Sequence, residues 1–83
     1  MEEIKLWLEE WFSNNSSKSI DEVKEKSDDN YFTEGFVDSF GFISLLSDIE
    51  EKFGVVFSND DFLDRSFATI NGLAQMVYLK KRN

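Results

Sequence analysis

The chain contains no cysteine and no histidine among its 83 residues. Without cysteine it can form no disulfide, no zinc–thiolate site and no thiolate nucleophile. Without histidine it lacks the side chain that most often serves as a general base and as a transition-metal ligand. A catalytic mechanism that depends on a Ser–His or Cys–His pair is therefore excluded.

Proline is also absent, which suits a helical chain because no residue interrupts the backbone hydrogen bonds. No apolar run approaches the roughly 20 residues that a membrane-spanning helix needs. The acidic start, Met1-Glu2-Glu3, lacks the basic and apolar regions of a signal peptide. We therefore expect a cytoplasmic protein without a membrane span, folded as a single domain over residues 1–83.

Acidic residues outnumber basic ones by seventeen to nine, which gives a net charge of −8 at pH 7. Nucleic acids and anionic membranes carry the same sign of charge and would be repelled. We therefore expect no nucleic-acid partner, and protein partners that present basic patches. We also expect the chain to be a monomer.

Three segments place apolar residues at the spacing of one helix face: residues 1–12, residues 38–53, and a last helix that begins after Thr69. Asp38 is a suitable N-cap for the second of these, and Gly54 stands where a left-handed C-terminal cap is expected. The pattern predicts an all-α fold, a small four-helix bundle with three longer helices and a short third helix.

Short helices are also predicted after Ser19 and after Ser58, because both serines have the spacing of a capping box. Apart from the first of these turns, residues 13–37 show no long periodic segment. A loop of this length in a small protein is unusual and indicates a functional role.

Residues 35–40 (Gly-Phe-Val-Asp-Ser-Phe) are the most informative run in the chain. Ser39 falls in the first turn of the strongest predicted helix, where unpaired N–H groups and the helix dipole stabilise an attached anion. A phosphodiester on Ser39 would be favoured there. From position alone, an ordinary helix start at Asp38-Ser39 explains the same residues.

Two further readings of these segments fail. Ser39 has no histidine to activate it and lacks the Gly-x-Ser-x-Gly elbow of hydrolases, so we predict no catalytic residue. The acidic loops at Asp28 and Asp60 do not match a calcium-binding loop, because Phe32 and Phe62 stand where oxygen ligands are required. We predict no metal site.

Residues 35–40, followed by an amphipathic stretch that ends in residues 50–54 (Glu-Glu-Lys-Phe-Gly), resemble the acyl carrier proteins. The similarity covers nearly the whole chain and implies the helical bundle of the acyl-carrier type. In that family a serine carries a 4′-phosphopantetheine arm whose thiol holds an acyl or aminoacyl group as a thioester. The resemblance implies that Ser39 is this serine and that Asp38 is the neighbouring helix cap.

The same resemblance implies a carrier that is not itself an enzyme. A phosphopantetheinyl transferase would load the arm, and an acyl- or aminoacyl-loading ligase or synthase with a basic docking patch would use it. Phe40 and Ile43 are predicted as apolar docking anchors, with Glu50 and Glu51 as an acidic rim. The alternative places Phe40 and Ile43 in the core and leaves the two glutamates merely solvated.

The sequence departs from fatty-acid carriers at several positions after the serine. Gly41 and Ser44 stand where those carriers usually have acidic residues. The Asp-Ser-Phe-Gly run also resembles D-alanyl carriers, so we favour a specialised acyl or aminoacyl carrier. An alternative of a different class is an unmodified acidic helical module that binds partner proteins.

The chain also contains nine phenylalanines. We expect some of these rings to fill the space in which certain carriers shelter an acyl chain, which would favour short or polar cargo. The expected fillers are Phe42, Phe53, Phe57, Phe62 and Phe67. The plainer interpretation is that the rings only supply buried area to a small core.

Overall fold

The computed structural model describes residues 2–81, apart from the side chains of Arg65 and Ser66. The predicted all-α class is confirmed over this range, and so are the three longer helices. The helices in chain order are α1 (Glu2–Asn14), α2 (Ile20–Glu25), α3 (Ser39–Phe53), α4 (Asn59–Phe62), a 3₁₀ helix (Arg65–Ala68) and α5 (Ile70–Lys81). Met1, with which the first predicted helix begins, lies outside the described residues.

Helix α3 begins and ends at the caps that the sequence predicts. The Asp38 carboxylate accepts a hydrogen bond from the Gly41 N–H at 2.7 Å, which satisfies a donor of the first turn. Gly54 adopts a left-handed conformation with a φ of 68° and closes the last turn. The helix that carries Ser39 is thus fixed at both ends by local interactions.

The other helix starts also follow the sequence. The Ser19 hydroxyl accepts from the Glu22 N–H at 3.2 Å at the start of α2, and the Thr69 hydroxyl accepts from the Gly72 N–H at 3.0 Å at the start of α5. Helix α1 continues two residues beyond its predicted end, to Asn14. Polar residues there bond back to the helix, as in the 2.8 Å contact from the Asn15 side-chain amide to the Trp11 carbonyl.

Most of the core comes from one face of each of the three longer helices. Its buried members on these helices are Ile4, Leu8, Trp11, Phe12, Leu45, Ile49, Ile70, Leu73, Ala74 and Val77. Trp11 also links α1 to α3, because its indole N–H donates to the Asp48 carboxylate at 2.8 Å. Burying these side chains is the main favourable contribution to folding.

Residues 27–36, here called the anchored loop, are held against the start of α5 and the 3₁₀ helix. The Tyr31 side chain is fully buried, its hydroxyl donates to the Phe67 carbonyl, and its N–H donates to the Ala68 carbonyl at 3.0 Å. The Asn71 N–H donates to the Ser27 carbonyl at 3.1 Å, and the Asn71 side-chain amide donates to the Asp28 carboxylate at 2.5 Å. The long predicted loop is therefore fixed to the bundle just before the site.

Aromatic rings from four segments meet next to the anchored loop. Phe67 is central: its ring centroid lies 5.5 Å from Phe42, 5.5 Å from Phe57 and 5.0 Å from Phe62. Tyr31 extends this cluster, 6.1 Å from Phe42. Phe53 was also expected to fill this space. Its ring instead packs edge-on against Trp7 of α1, with the ring centroids 5.4 Å apart.

Candidate functional site

Ser39 is exposed and is the first residue of α3. Because Asp38 caps the helix through Gly41, the backbone at Ser39 is fixed while its hydroxyl side remains open. The first turn of an α-helix has unpaired N–H groups and the positive end of the helix dipole. The position therefore fits an esterified anion such as a phosphodiester.

Two glycines shape the chain around Ser39. Gly35 has a φ of 76°, a conformation that disfavours side chains, and it turns the chain towards α3. Gly41 has no space for a side chain, since a Cβ there would lie 2.9 Å from a Val37 methyl and 3.1 Å from an Asp38 carboxylate oxygen. The glycine at position 41 thus allows the close packing that accompanies the Asp38 cap.

An open groove of about 720 Å³ lies beside Ser39. It runs between the end of α1 with the turn that follows it and the start of α3. Both polar and apolar side chains line it, including Asn15, Ser17, Lys18, Phe36, Val37 and Ser44. Ser39 itself forms part of the wall, so a group attached to its hydroxyl would start at the edge of the groove.

The predicted apolar anchors are both on the surface. Phe40 is 84% exposed and Ile43 is 66% exposed, which decides against the core reading of these two residues. Among the predicted acidic rim, Glu51 is exposed, whereas Glu50 is half-buried and accepts a hydrogen bond from the Phe57 N–H at 3.2 Å. Glu50 therefore also ties the end of α3 to the segment that follows.

Sequence reasoning missed Leu63, which is 81% exposed at the end of α4. Helix α4 is placed against α3 by Phe62, whose ring lies 6.4 Å from Phe42. The position of an apolar residue directly after a capped four-residue helix was a signal that Leu63 could be exposed. The sequence pattern predicted the short helix but not which of its residues face the solvent.

Among residues 2–81, no group of three or more acidic side chains is arranged to hold a metal ion. No helix in that range combines the length and apolar character that a bilayer span requires.

The geometry around Ser39 presents an exposed hydroxyl at a helix start, beside a groove and next to exposed apolar residues. This arrangement can carry a covalently attached anionic group and present it to a partner.

These features define a small helical carrier protein, and comparison with known proteins agrees. A family model described as "Phosphopantetheine attachment site" matches residues 18–77. The chain belongs to this phosphopantetheine-binding carrier family, and the resemblance inferred from the sequence is confirmed. Its function is to carry acyl or aminoacyl groups on 4′-phosphopantetheine.

Over 57 residues the chain is 40% identical to the D-alanyl carrier protein of Bacillus velezensis. The match covers 69% of this chain and 73% of that relative. No solved structure matches the chain. Carrier proteins of this kind work with a phosphopantetheinyl transferase and with ligases or synthases.

Proposed function

We propose that Ser39 is the residue to which the 4′-phosphopantetheine arm is attached, through a phosphodiester. The observation that carries this assignment is the exposed Ser39 hydroxyl at the capped start of α3, within the part of the chain that the family model matches. Asp38 fixes the helix start and thereby the position of Ser39. When bound, the arm supplies the terminal thiol on which an acyl or aminoacyl group is held.

The assignment is tested by incubating the protein with a broad-specificity phosphopantetheinyl transferase and coenzyme A. We expect the intact mass to rise by one phosphopantetheine in the unmodified sequence and in Ser44→Ala, and not at all in Ser39→Ala. Ser44 is a suitable control because it is an exposed serine on the same helix. An unchanged mass with an active transferase would favour the unmodified interaction module instead.

The protein itself is proposed to be a non-catalytic, monomeric, single-domain carrier of the cytoplasm. The chain has no histidine or cysteine to serve as a base or nucleophile, so the chemistry would be performed by partner enzymes. Phosphopantetheinyl transferase and an acyl- or aminoacyl-loading ligase or synthase are the proposed partners.

We propose that Phe40 and Ile43 anchor these partners, with Glu50 and Glu51 forming an acidic rim. Large exposed apolar side chains beside the modified residue are suitable anchors, and a net charge of −8 favours a basic partner surface. Ile43→Ser should raise the KM of the loading enzyme several-fold without lowering the melting temperature. Ser47→Ala, a change at another exposed position of α3, should leave both values unaltered.

The cargo is proposed to be short or polar, and an aminoacyl group fits best. The rings of Phe42, Phe57, Phe62 and Phe67 pack against one another, and we propose that they fill the space that an internal acyl chain would need. The similarity to a D-alanyl carrier supports the same class of cargo. Loading an eight-carbon acyl chain should leave the methyl chemical shifts of Leu73 and Val77 unchanged. Large shifts there would contradict the proposal.

A further inference from the structure

The groove beside Ser39 has no assigned role in the carrier function described so far. Its volume is about 720 Å³, and one wall is the first turn of α3, which includes Ser39 and Gly41. The opposite wall comes from the end of α1 and the turn after it, with Asn15 and Lys18. Any group esterified to Ser39 therefore begins at the edge of this groove.

The chemistry of the walls matches that of a pantetheine arm. The arm joins an anionic phosphodiester to a branched apolar segment and two amides. The groove offers a cation in Lys18, hydrogen-bonding side chains in Asn15 and Ser17, and apolar surface from Phe32 and Val37. We propose that this groove is a resting site for the arm, an inference that depends on Ser39 being the attachment residue.

Lys18 is available for the phosphodiester because its present partner holds it weakly. Its ammonium lies 3.6 Å from the Glu22 carboxylate, and both side chains are more than a third exposed. Exposed pairs of this kind contribute little to stability. A phosphodiester on Ser39 would be an alternative partner for the Lys18 ammonium. It is anionic, and its bond to Ser39 keeps it beside the same groove.

Tethering makes even a weak site effective. Because the arm is attached to Ser39 by a short flexible link, its effective concentration at the groove is on the order of millimolar. The arm can therefore occupy the groove without high intrinsic affinity. Phe40 and Ile43 do not line the groove. An arm at rest would therefore leave the proposed docking anchors uncovered, and a partner enzyme could bind before the arm leaves.

The first test compares backbone amide chemical shifts of the apo and holo proteins, after intact mass has confirmed loading. We expect shift changes at Asn15, Ser17 and Lys18, which lie more than twenty residues from Ser39 in sequence. Changes confined to residues adjacent to Ser39 in a loaded protein would overturn the resting site while leaving the attachment site intact. A protein that takes no arm would instead overturn the proposed attachment at Ser39.

The second test uses two lysine variants with the same change of charge. In holo Lys18→Gln the shift changes at Asn15 and Ser17 should fall several-fold, and the phosphorus resonance of the phosphodiester should move towards its value in the urea-unfolded holo protein. Holo Lys52→Gln, an exposed position on α3 outside the groove, should match the unmodified holo protein. Equal behaviour of the two variants would show that Lys18 does not hold the arm.

Discussion

The anchored loop and the first turn of α3 are neighbours in sequence but opposite in character. The loop places Tyr31 and Phe36 in the core and bonds its backbone to the 3₁₀ helix and to Asn71 of α5. Three residues after Phe36, Ser39 is exposed, and Phe40 follows it on the surface. Of these two segments, the anchored loop should therefore contribute more to folding stability than the first turn of α3.

This difference shows how a small carrier can expose Ser39 on a helix whose start is held in place. The buried side chains of the loop hold the chain on both sides of Gly35, so the start of α3 has a fixed position. The exposed residues Ser39 and Phe40 are then not needed to hold the fold together. Substitutions in the two regions should therefore separate stability from partner recognition.

The largest effect is expected for Tyr31→Ala. The tyrosine is fully buried, packs 4.9 Å from the Phe12 ring and donates to the Phe67 carbonyl. Losing a buried aromatic side chain costs about 3–5 kcal/mol of unfolding free energy, measured by urea denaturation. Phe40→Ala is the matched control and should change the value by less than about 0.5 kcal/mol because its ring is exposed. Similar losses for both variants would contradict the proposed separation.

Tyr31→Phe sharpens the same test by removing only the hydroxyl. Burial raises the pKa of the Tyr31 hydroxyl above its ordinary value, so the group stays protonated and donates its hydrogen bond. Losing that bond leaves the buried Phe67 carbonyl without this donor and should cost about 1–3 kcal/mol in the same denaturation experiment. No measurable loss would show that packing alone holds the loop.

Asp38→Ala should have a smaller effect, because it removes the cap of α3 but no buried side chain. N-cap losses of this type cost about 1 kcal/mol, measured as a lower urea midpoint. Asp38→Asn keeps a side-chain oxygen for the Gly41 N–H and should retain most of the stability. If the alanine variant were as stable as the unmodified protein, the cap would not be what fixes Ser39.

The smallest effect is expected at the ion pair of α4 and α5. The Lys80 ammonium lies 2.8 Å from the Asp61 carboxylate, and this contact, with the Ser58 N–H, lowers the pKa of Asp61. A lowered pKa in the folded state means that the pair stabilises the protein at neutral pH and loses its effect as Asp61 is protonated in acid. Lys80→Gln should therefore cost about 0.5 kcal/mol at pH 7, and this cost should shrink as the pH falls through the lowered pKa of Asp61. A cost that stays constant in acid would point to another cause, such as the lost contact between the Lys80 ammonium and the Phe57 ring.

Much of the helical framework could be predicted from the sequence because its signals are local. The caps at Asp38, Gly54 and Thr69 depend on residues within four positions of one another. Ser39 could be singled out for the same reason, since its helix position and its run of neighbours are both visible in the sequence. Periodicity likewise identified the buried faces of α3 and α5.

The hydrogen bonds that hold the anchored loop against the bundle could not be predicted, because the residues they join are far apart along the chain. Tyr31 and Phe67 are separated by 36 positions, and Asn71 and Asp28 by 43. No pattern of spacing indicates such pairs. The double role of Glu50 was missed similarly, because its hydrogen bond to the Phe57 N–H depends on how the chain turns after Gly54.

The absence of a side chain at Gly41 also constrains how this protein can evolve. Any Cβ at that position would collide with a Val37 methyl, so the acidic residue usual there in fatty-acid carriers could not be acquired by one substitution without strain. A shift of the Val37 side chain or a compensating change at residue 37 would relieve that collision. Substitutions at positions 37 and 41 should therefore be coupled in their effects on stability.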